Sequence, residues 1–526
     1  MSSKQNAVIL SFMSILEIKN LTHIFDQIPL FENASLTVNN GEHIGVVGLN
    51  GAGKSTFVNI LAGKLIHDDG EIKWNSSIRK GYLDQHAQIE KEQTIFEYLQ
   101  SSFSHLLEKN AQMEKLYMAM ETAGENELER LITKSSAILD YLTNEGFFDL
   151  EPTIKKVANG LGIGLLGYEK QVSNLSGGQR AKLMLAKLLL EKPDMMLLDE
   201  PTNFLDIEHV DWLIEFLSGY DGTFLVISHD TAFLDRVCKG IISIENGQIK
   251  KYFGNYSQYK EQAMQNAKQY EDSYHRQQEQ IEKMKDYIAR NSARAATAGM
   301  ANSRKKMLDK IDVIRKPSII YDAKFNFPYI LLHTKELLKI ENLEIGYDGV
   351  SLLPPINLTL NSNSKIWIRG TNGIGKTTLI KTLTSNLATI GGTAVWHQAA
   401  VLAYLEQDLD FDTAADLHAA AYMADRFPRI NSKDIRSILA SVGIKNELAT
   451  KSVSDLSGGE QVKVRLCALM QKKSNVLLLD EPTNHLDVRA KEALKNALIE
   501  YQGSIVLVSH EKDFAKAICN EVFDAR

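Results

Sequence analysis

Residues 48–55 read GLNGAGKS, and residues 370–377 read GTNGIGKT, 322 positions later. The duplication extends well beyond that pair. GYLDQ, ending at Gln85, returns as AYLEQ, ending at Gln407, at the same offset, and Phe25 returns as Tyr347. LSGGQ (175–179), LLDEPTN (197–203) and ISHD with His229 return as LSGGE (456–460), LLDEPTN (478–484) and VSHE with His510, all 281 positions on. A chain written this way folds as two like modules, each burying its own core. Its 526 residues accommodate both, since a domain takes roughly 100–200.

The offset drops from 322 to 281 between Gln85 and Ser176, so the first module carries about 41 residues that the second lacks. The candidate insert, about 104–144, predicts two helices. Leu106, Met113, Tyr117 and Met120 fall at helical spacing, as do Leu128, Leu131, Leu139 and Leu142, with a break at Gly124 and Asn126. Between the modules, Ala263, Ala267, Tyr270, Tyr274, Ile281, Met284 and Ile288 step by threes and fours, with Gln277 in one apolar slot. That pattern predicts a helix over 256–297, roughly 60 Å long at 1.5 Å per residue. Ala298 and Gly299 offer a turn, and Met307, Leu308, Ile311 and Ile314 a shorter return helix that Pro317 ends. The expected layout is a tail (1–13, with Met13 an alternative start), a first module (14–255), a linker (256–334) and a second module (335–526).

Net charge is −7 and 44% of residues are hydrophobic, which excludes a disordered chain and, as an average, argues against a nucleic-acid partner. The average hides a basic element. From Lys285 to Lys316 there are nine basic residues, Arg290, Arg294, Arg304, Lys305 and Lys306 among them, opposed only by Asp286, Asp309 and Asp312. No apolar run approaches the roughly 20 residues of a membrane helix. Ala7–Leu16 is apolar but lacks a cleavage site, which argues against a secretory signal. The cysteines (Cys238, Cys467, Cys519) are scattered and read as buried apolar residues in a reducing compartment.

GxxxxGK[ST] between a strand and a helix is a phosphate-binding loop. Its glycines let backbone N–H groups surround phosphate, and the following helix turns its positive end to the same anion. The candidate nucleotide contacts are Gly48, Asn50, Gly51, Gly53, Lys54, Ser55 and Thr56, and in the second module Gly370, Asn372, Gly373, Gly375, Lys376, Thr377 and Thr378. Ser55 and Thr377 offer a hydroxyl to Mg²⁺, and Asp199 and Asp480, each ending an apolar strand, offer a carboxylate. Gln85 and Gln407 are placed to touch both metal and water. Glu200 and Glu481 follow the aspartates as candidate bases for the attacking water, with His229 and His510 against the γ-phosphate. At Ser176, Gly177 and Gly178, and again at Ser457, Gly458 and Gly459, small residues precede a helix and make a second anion-reading surface. A module cannot fold that surface onto its own loop, so the other module supplies it. Phe25 and Tyr347 are candidate adenine-stacking rings.

These motifs together resemble the ATP-binding cassette (ABC) ATPases over nearly the whole chain. The resemblance implies an α/β fold of two P-loop nucleotide-binding domains in tandem, a helical arm inserted in the first, a helical hairpin linker, and ATP with Mg²⁺ as cofactors. It also implies head-to-tail closure, one site combining Lys54 and Glu200 with Ser457–Gly459 and the other Lys376 and Glu481 with Ser176–Gly178. Paired cassettes without a membrane domain resemble the ABC-F branch, whose members act on the ribosome. For this chain that implies a cytoplasmic ATPase, monomeric with its cassettes paired internally and with no stable membrane partner. It would bind the ribosomal large subunit at the exit (E) site, and its linker would reach P-site transfer RNA and the peptidyl-transferase centre.

Two features depart from the family pattern: Phe204 stands in PTNFLD where His or Tyr is usual, and Glu460 ends the second signature. The functions in contention are a translation factor, a ribosome-protection factor against antibiotics, the ATPase of a transporter with a separate membrane subunit, and a DNA-repair ATPase. The basic linker weighs against the transporter, and a coiled coil that joins two complete cassettes weighs against the repair enzyme.

Overall fold

A computed structural model describes residues 14–25, 28–83, 92–245, 247–291, 298–309, 311, 313, 323–371, 373–405, 417–445 and 447–525. Gln85, Gln407, Asn372, Arg294, Ile314, Pro317 and the tail lie outside them.

Apolar runs of five to six residues make the central strands, buried on both faces as parallel sheets require. In the first cassette β1 (Ser14–Phe25), β2 (Ile28–Asn39) and β4 (Asp69–Trp74) form an antiparallel sheet in the order β2-β1-β4. Beside it β3 (His43–Gly48), β5 (Lys80–Tyr82), β6 (Met195–Asp199), β7 (Thr223–Ile227), β8 (Gly240–Glu245) and β9 (Gln248–Phe253) form a second sheet, ordered β5-β6-β7-β3-β8-β9. All of its pairs are parallel except β8 with β9. One core lies between the two sheets around Phe31, Phe57 and Leu197, and another lies under the helices around Leu183, Leu198 and Phe224.

The second cassette repeats the plan. β10 (Glu336–Glu344), β13 (Ile356–Asn361) and β15 (Gly391–Trp396) are ordered β13-β10-β15, with β11 (Gly346–Tyr347) and β12 (Val350–Ser351) as a separate ribbon. β14 (Lys365–Arg369), β16 (Leu402–Leu405), β17 (Val476–Asp480), β18 (Ser504–Val508) and β19 (Glu521–Asp524) make a five-stranded parallel sheet, β16-β17-β18-β14-β19. The register places Asp199 beside Ile227 and Asp480 beside Val508. The acidic strand ends, the phosphate loops and the histidine turns therefore converge at the carboxyl edge, where open α/β sheets bind ligands. Trp367, 1% exposed, donates its indole N–H to the Ser509 carbonyl at 3.0 Å and fixes the turn that carries His510.

The insert forms two packed helices, Ser104–Met120 and Glu125–Asn144. Their inward faces correct the predicted ones. Tyr117 and Leu139 are exposed, while Leu116 and Ile138 are half-buried between Met113, Met120, Leu131 and Leu142. The reason is register: 113, 116, 120 and 131, 135, 138, 142 keep strict three- and four-residue steps, and this leaves Ser135 buried with its hydroxyl returned to the Ile132 carbonyl.

The linker helix spans Tyr256–Asn291 and a second helix Ala298–Leu308. Ala298 and Gly299 thus open the return helix and do not turn the chain, and Ile311 falls beyond its end. The long helix is described as far as Asn291; the expected extension to Thr297 lies outside the described residues. Its root is fixed to the first cassette. Tyr259 is buried with its hydroxyl on Ser243 and Glu245, and Asp235 accepts from both the N–H and the hydroxyl of Ser257. Residues 264–273 are exposed on every face, so this part of the helix stands clear of the cassettes.

Candidate functional site at the cassette interface

Each phosphate loop ends in a glycine that only a left-handed backbone satisfies, Gly53 at φ 92° and Gly375 at φ 111°. Neither caps its helix through a side chain, so the first N–H groups of Lys54–Leu61 and Lys376–Leu383 face outward, as an anion requires. The Lys54 ammonium donates to the carbonyls of Gly48 and Leu49 at 3.0 Å each, and that of Lys376 to Gly370 and Thr371 at 2.8 and 3.0 Å. Both lysines are buried (8% and 7% exposed), and burial pulls both ammonium groups below the usual lysine range.

The residues after the two strand-ending aspartates are conformationally strained in the same way. Glu200 has φ 48° and Glu481 φ 47°, left-handed values uncommon for glutamate. The strain persists because each N–H continues the sheet ladder, to Ile227 O at 2.9 Å and Val508 O at 3.0 Å. Each carboxylate accepts from the backbone N–H of the switch histidine, His229 or His510, at 3.3 Å. The imidazoles lie alongside, 3.5 Å from Glu200 Oε1 and 3.0 Å from Glu481 Oε1. Burial pushes Glu200 up to about 7 and also raises Glu481, with Asp480 adding repulsion. Burial likewise depresses His229 to about 3 and His510 to about 4, so both imidazoles are neutral and these close approaches are not ion pairs.

Asp199, raised by burial, is within hydrogen-bonding reach of the Ser55 hydroxyl. A hydroxyl and a carboxylate next to a phosphate loop are hard oxygen donors, which suits Mg²⁺ better than softer metals. Thr377 and Asp480 supply the same two groups in the second cassette.

Each signature is a capping box. Ser176 Oγ accepts from the Gln179 N–H at 3.3 Å and Gln179 Oε1 accepts from the Ser176 N–H at 3.1 Å; Ser457 and Glu460 repeat this at 3.4 and 2.9 Å. Gln and Glu serve equally at that position of the motif, which is why Glu460 is no defect. The second signature meets the first loop. Asn50 Nδ2 donates to the His485 carbonyl at 2.8 Å, and a Cβ added to Gly459 would collide with both of those groups. On the opposite face Gly178 lies against Phe204 of its own cassette, while Asp206 of the first cassette acts electrostatically on Lys376 and His510 of the second. Asp211–Lys512 at 2.6 Å also joins the two cassettes.

The structure thus brings Asn50, in the loop that ends at Lys54, to Gly459, and sets Lys376 and His510 of the second cassette within electrostatic reach of Asp206 of the first. Phe25 (66% exposed) and Tyr347 (50% exposed) offer free ring faces, and Ile345, two residues before Tyr347, packs on Gly375. Asp206 and Asp487 were missed, although they repeat at the 281 offset in PTNFLD and PTNHLD. Lys491 was missed too, and its counterpart at that offset is Val210, so no repeat marks it.

A family model described as ABC transporter matches residues 31–203 and 353–484, and a second with the same description matches 242–327. An uncharacterized ABC transporter ATP-binding protein of Bacillus subtilis, YfmM, is 42% identical over 512 residues, 97% of this chain and 98% of that protein. ABC transporter F family member 2 of Arabidopsis thaliana is 32% identical over 532 residues, 100% of this chain and 76% of that protein. The chain belongs to the ABC-F family of ATPases.

As an ABC-F protein it binds and hydrolyses ATP. Its fold is similar to that of an archaeal ribosome recycling factor, aABCE1, solved with the ribosomal stalk protein aP1: TM-score 0.57, 19% identity, 96% of this chain and 87% of that one. A model of ribosome-bound archaeal Pelota and ABCE1 matches at the same TM-score and identity, covering 76% of that chain.

One pH dependence follows. A base role for Glu200 and Glu481 requires their carboxyls to be ionised, and the raised values keep more of them protonated in acid. ATP turnover of this ABC-F protein is expected to climb from about pH 6 to about pH 8. The histidines stay neutral throughout and contribute no limb. A pH–kcat profile checks this; a flat profile over that range removes both glutamates as bases.

Proposed function

We propose that this ABC-F protein binds the ribosome with its cassettes closed on two ATP molecules, and that its linker acts on P-site transfer RNA near the peptidyl-transferase centre. The observation that carries the reading is a cationic helical prong rooted beside the first ATP site. Asp235, which holds Ser257 at the base of the prong, lies six residues after His229. Closure that moves the His229 turn therefore moves the helix. Arg290, Arg304, Lys305 and Lys306 are exposed along it, and the Arg304 guanidinium stacks over Tyr287 at 3.6 Å. Exposed arginine and lysine on a helical bend track RNA phosphates by charge and shape.

The roles within each site follow from the geometry. Glu200 and Glu481 take the proton of the attacking water, and His229 and His510 donate to the γ-phosphate. Mg²⁺, held by Ser55 and Asp199 or by Thr377 and Asp480, neutralises the phosphate oxygens. Among proteins of similar fold, one is an archaeal ribosome recycling factor solved with a ribosomal stalk protein and another is ribosome-bound ABCE1. That supports ribosome association; a cytoplasmic monomer seated in the E site, its cassettes paired to each other, is the form this proposal gives it. Among the described residues no helix is long and apolar enough to cross a membrane.

The test uses the hydrolysis-deficient Glu200→Gln, Glu481→Gln protein, which should pellet with 70S ribosomes in ATP. If it stays in the supernatant and co-purifies with a membrane protein, it is a transporter ATPase. Replacing Arg290, Arg304 and Lys305 by Gln should weaken pelleting and lower the slope of log affinity against log salt by about 1 per lost phosphate contact. An unchanged slope makes the linker a spacer. Growth of a susceptible strain across lincosamide, pleuromutilin, phenicol and oxazolidinone drugs separates drug protection from relief of stalled complexes.

A further inference from the structure

The two ATP sites are not equivalent, and the difference lies in one side chain that crosses between cassettes. Lys491 sits on the helix Val488–Glu500 of the second cassette, 13% exposed. Its ammonium is 2.7 Å from Glu511 Oε1 and donates to the His229 carbonyl of the first cassette at 3.2 Å. The N–H of that same residue donates to Glu200. The turn carrying the first switch histidine is therefore gripped at both backbone groups, by its own glutamate and by the other cassette's lysine. At the second site, Val210 occupies the position related to Lys491 by the repeat. Valine has no hydrogen to donate, so the His510 turn cannot be held this way. Glu511 corresponds to Asp230, so the acid is present in both halves and only the amine is one-sided.

We propose that Lys491 is a positioning residue for the first ATP site alone, holding the His229 turn from across the interface only when the cassettes are closed. The second site then reaches its active arrangement without such a contact. Around the ammonium itself stand Glu511, Asp230, His485 and His229. A charge-assisted hydrogen bond from a largely buried ammonium is a stronger constraint than a surface pair.

The test measures ATP turnover by the full chain in two single-site backgrounds. Glu481→Gln leaves the first site to turn over, and Glu200→Gln leaves the second. Lys491→Met, which keeps length and removes the charge, should lower kcat in the first background by about five- to tenfold with little change in KM. In the second background the loss should be under about twofold. Lys491→Arg should restore the rate. If Lys491→Met lowers the melting temperature markedly, Lys491→Gln is used in its place. Equal losses in both backgrounds, or none in the first, overturn the proposal. The inference rests on the base role given to Glu200. A Glu481→Gln protein with no turnover at all would overturn that role, whereas turnover indifferent to Lys491 overturns this inference only.

Discussion

With glutamine at both position 200 and position 481, ATP turnover falls by about 10²- to 10⁴-fold while ATP stays bound. Glutamine preserves the acceptor oxygen that receives the His229 or His510 N–H, so the turn and the strained backbone survive. Only the ability to take a proton is lost. Both carboxyls are buried and held high in pKa, as a base poised near neutral pH should be. Single-turnover ATPase assays with filter binding of labelled ATP read the two quantities separately. Retained turnover would move the base role elsewhere; lost ATP binding would make the glutamates structural.

A methyl group at position 459 should do comparable damage by a different route. The added Cβ would sit closer than 3.0 Å to Asn50 Nδ2 and to the His485 carbonyl, which are themselves hydrogen-bonded across the interface. Asn50 can swing away, but the carbonyl is backbone and can only be displaced. Overpacking of this kind costs about 1–3 kcal/mol. Charged to the closed state, that is about 5- to 150-fold in the closed population. Gly178→Ala is the control, because its Cβ would meet only the edge of the Phe204 ring, at 3.3 Å. Gly459→Ala should therefore lower ATP turnover and ribosome pelleting far more than Gly178→Ala. Equal effects would mean that the two signatures are closed alike.

Phe204 and His485 show why the two signatures differ. His485 has φ 62°, which carries its carbonyl to Asn50, whereas Phe204 has no positive φ and stacks instead on its own Gly178. The sequence displays the Phe-for-His change but not its consequence, since a backbone rotation leaves no compositional trace.

The phosphate loops, acidic strand ends, strand-following histidines and the helix starts after LSGG were legible in the chain because each is a local device. A strand, a glycine turn and a helix N-terminus within a dozen residues create the anion site by themselves, and duplication at a fixed offset separates them from chance. The two-cassette architecture and the helical linker followed from the same repeat and from helical spacing. Contacts joining residues hundreds of positions apart were decided only by the tertiary structure. Lys491 and His229 are 262 residues apart, and Asn50 and His485 are 435 apart. Their pairing depends on how two separately folded surfaces meet. The inward choice of Ile138 over Leu139 is of the same kind, because two adjacent apolar residues satisfy a helical pattern equally until a partner helix selects one face.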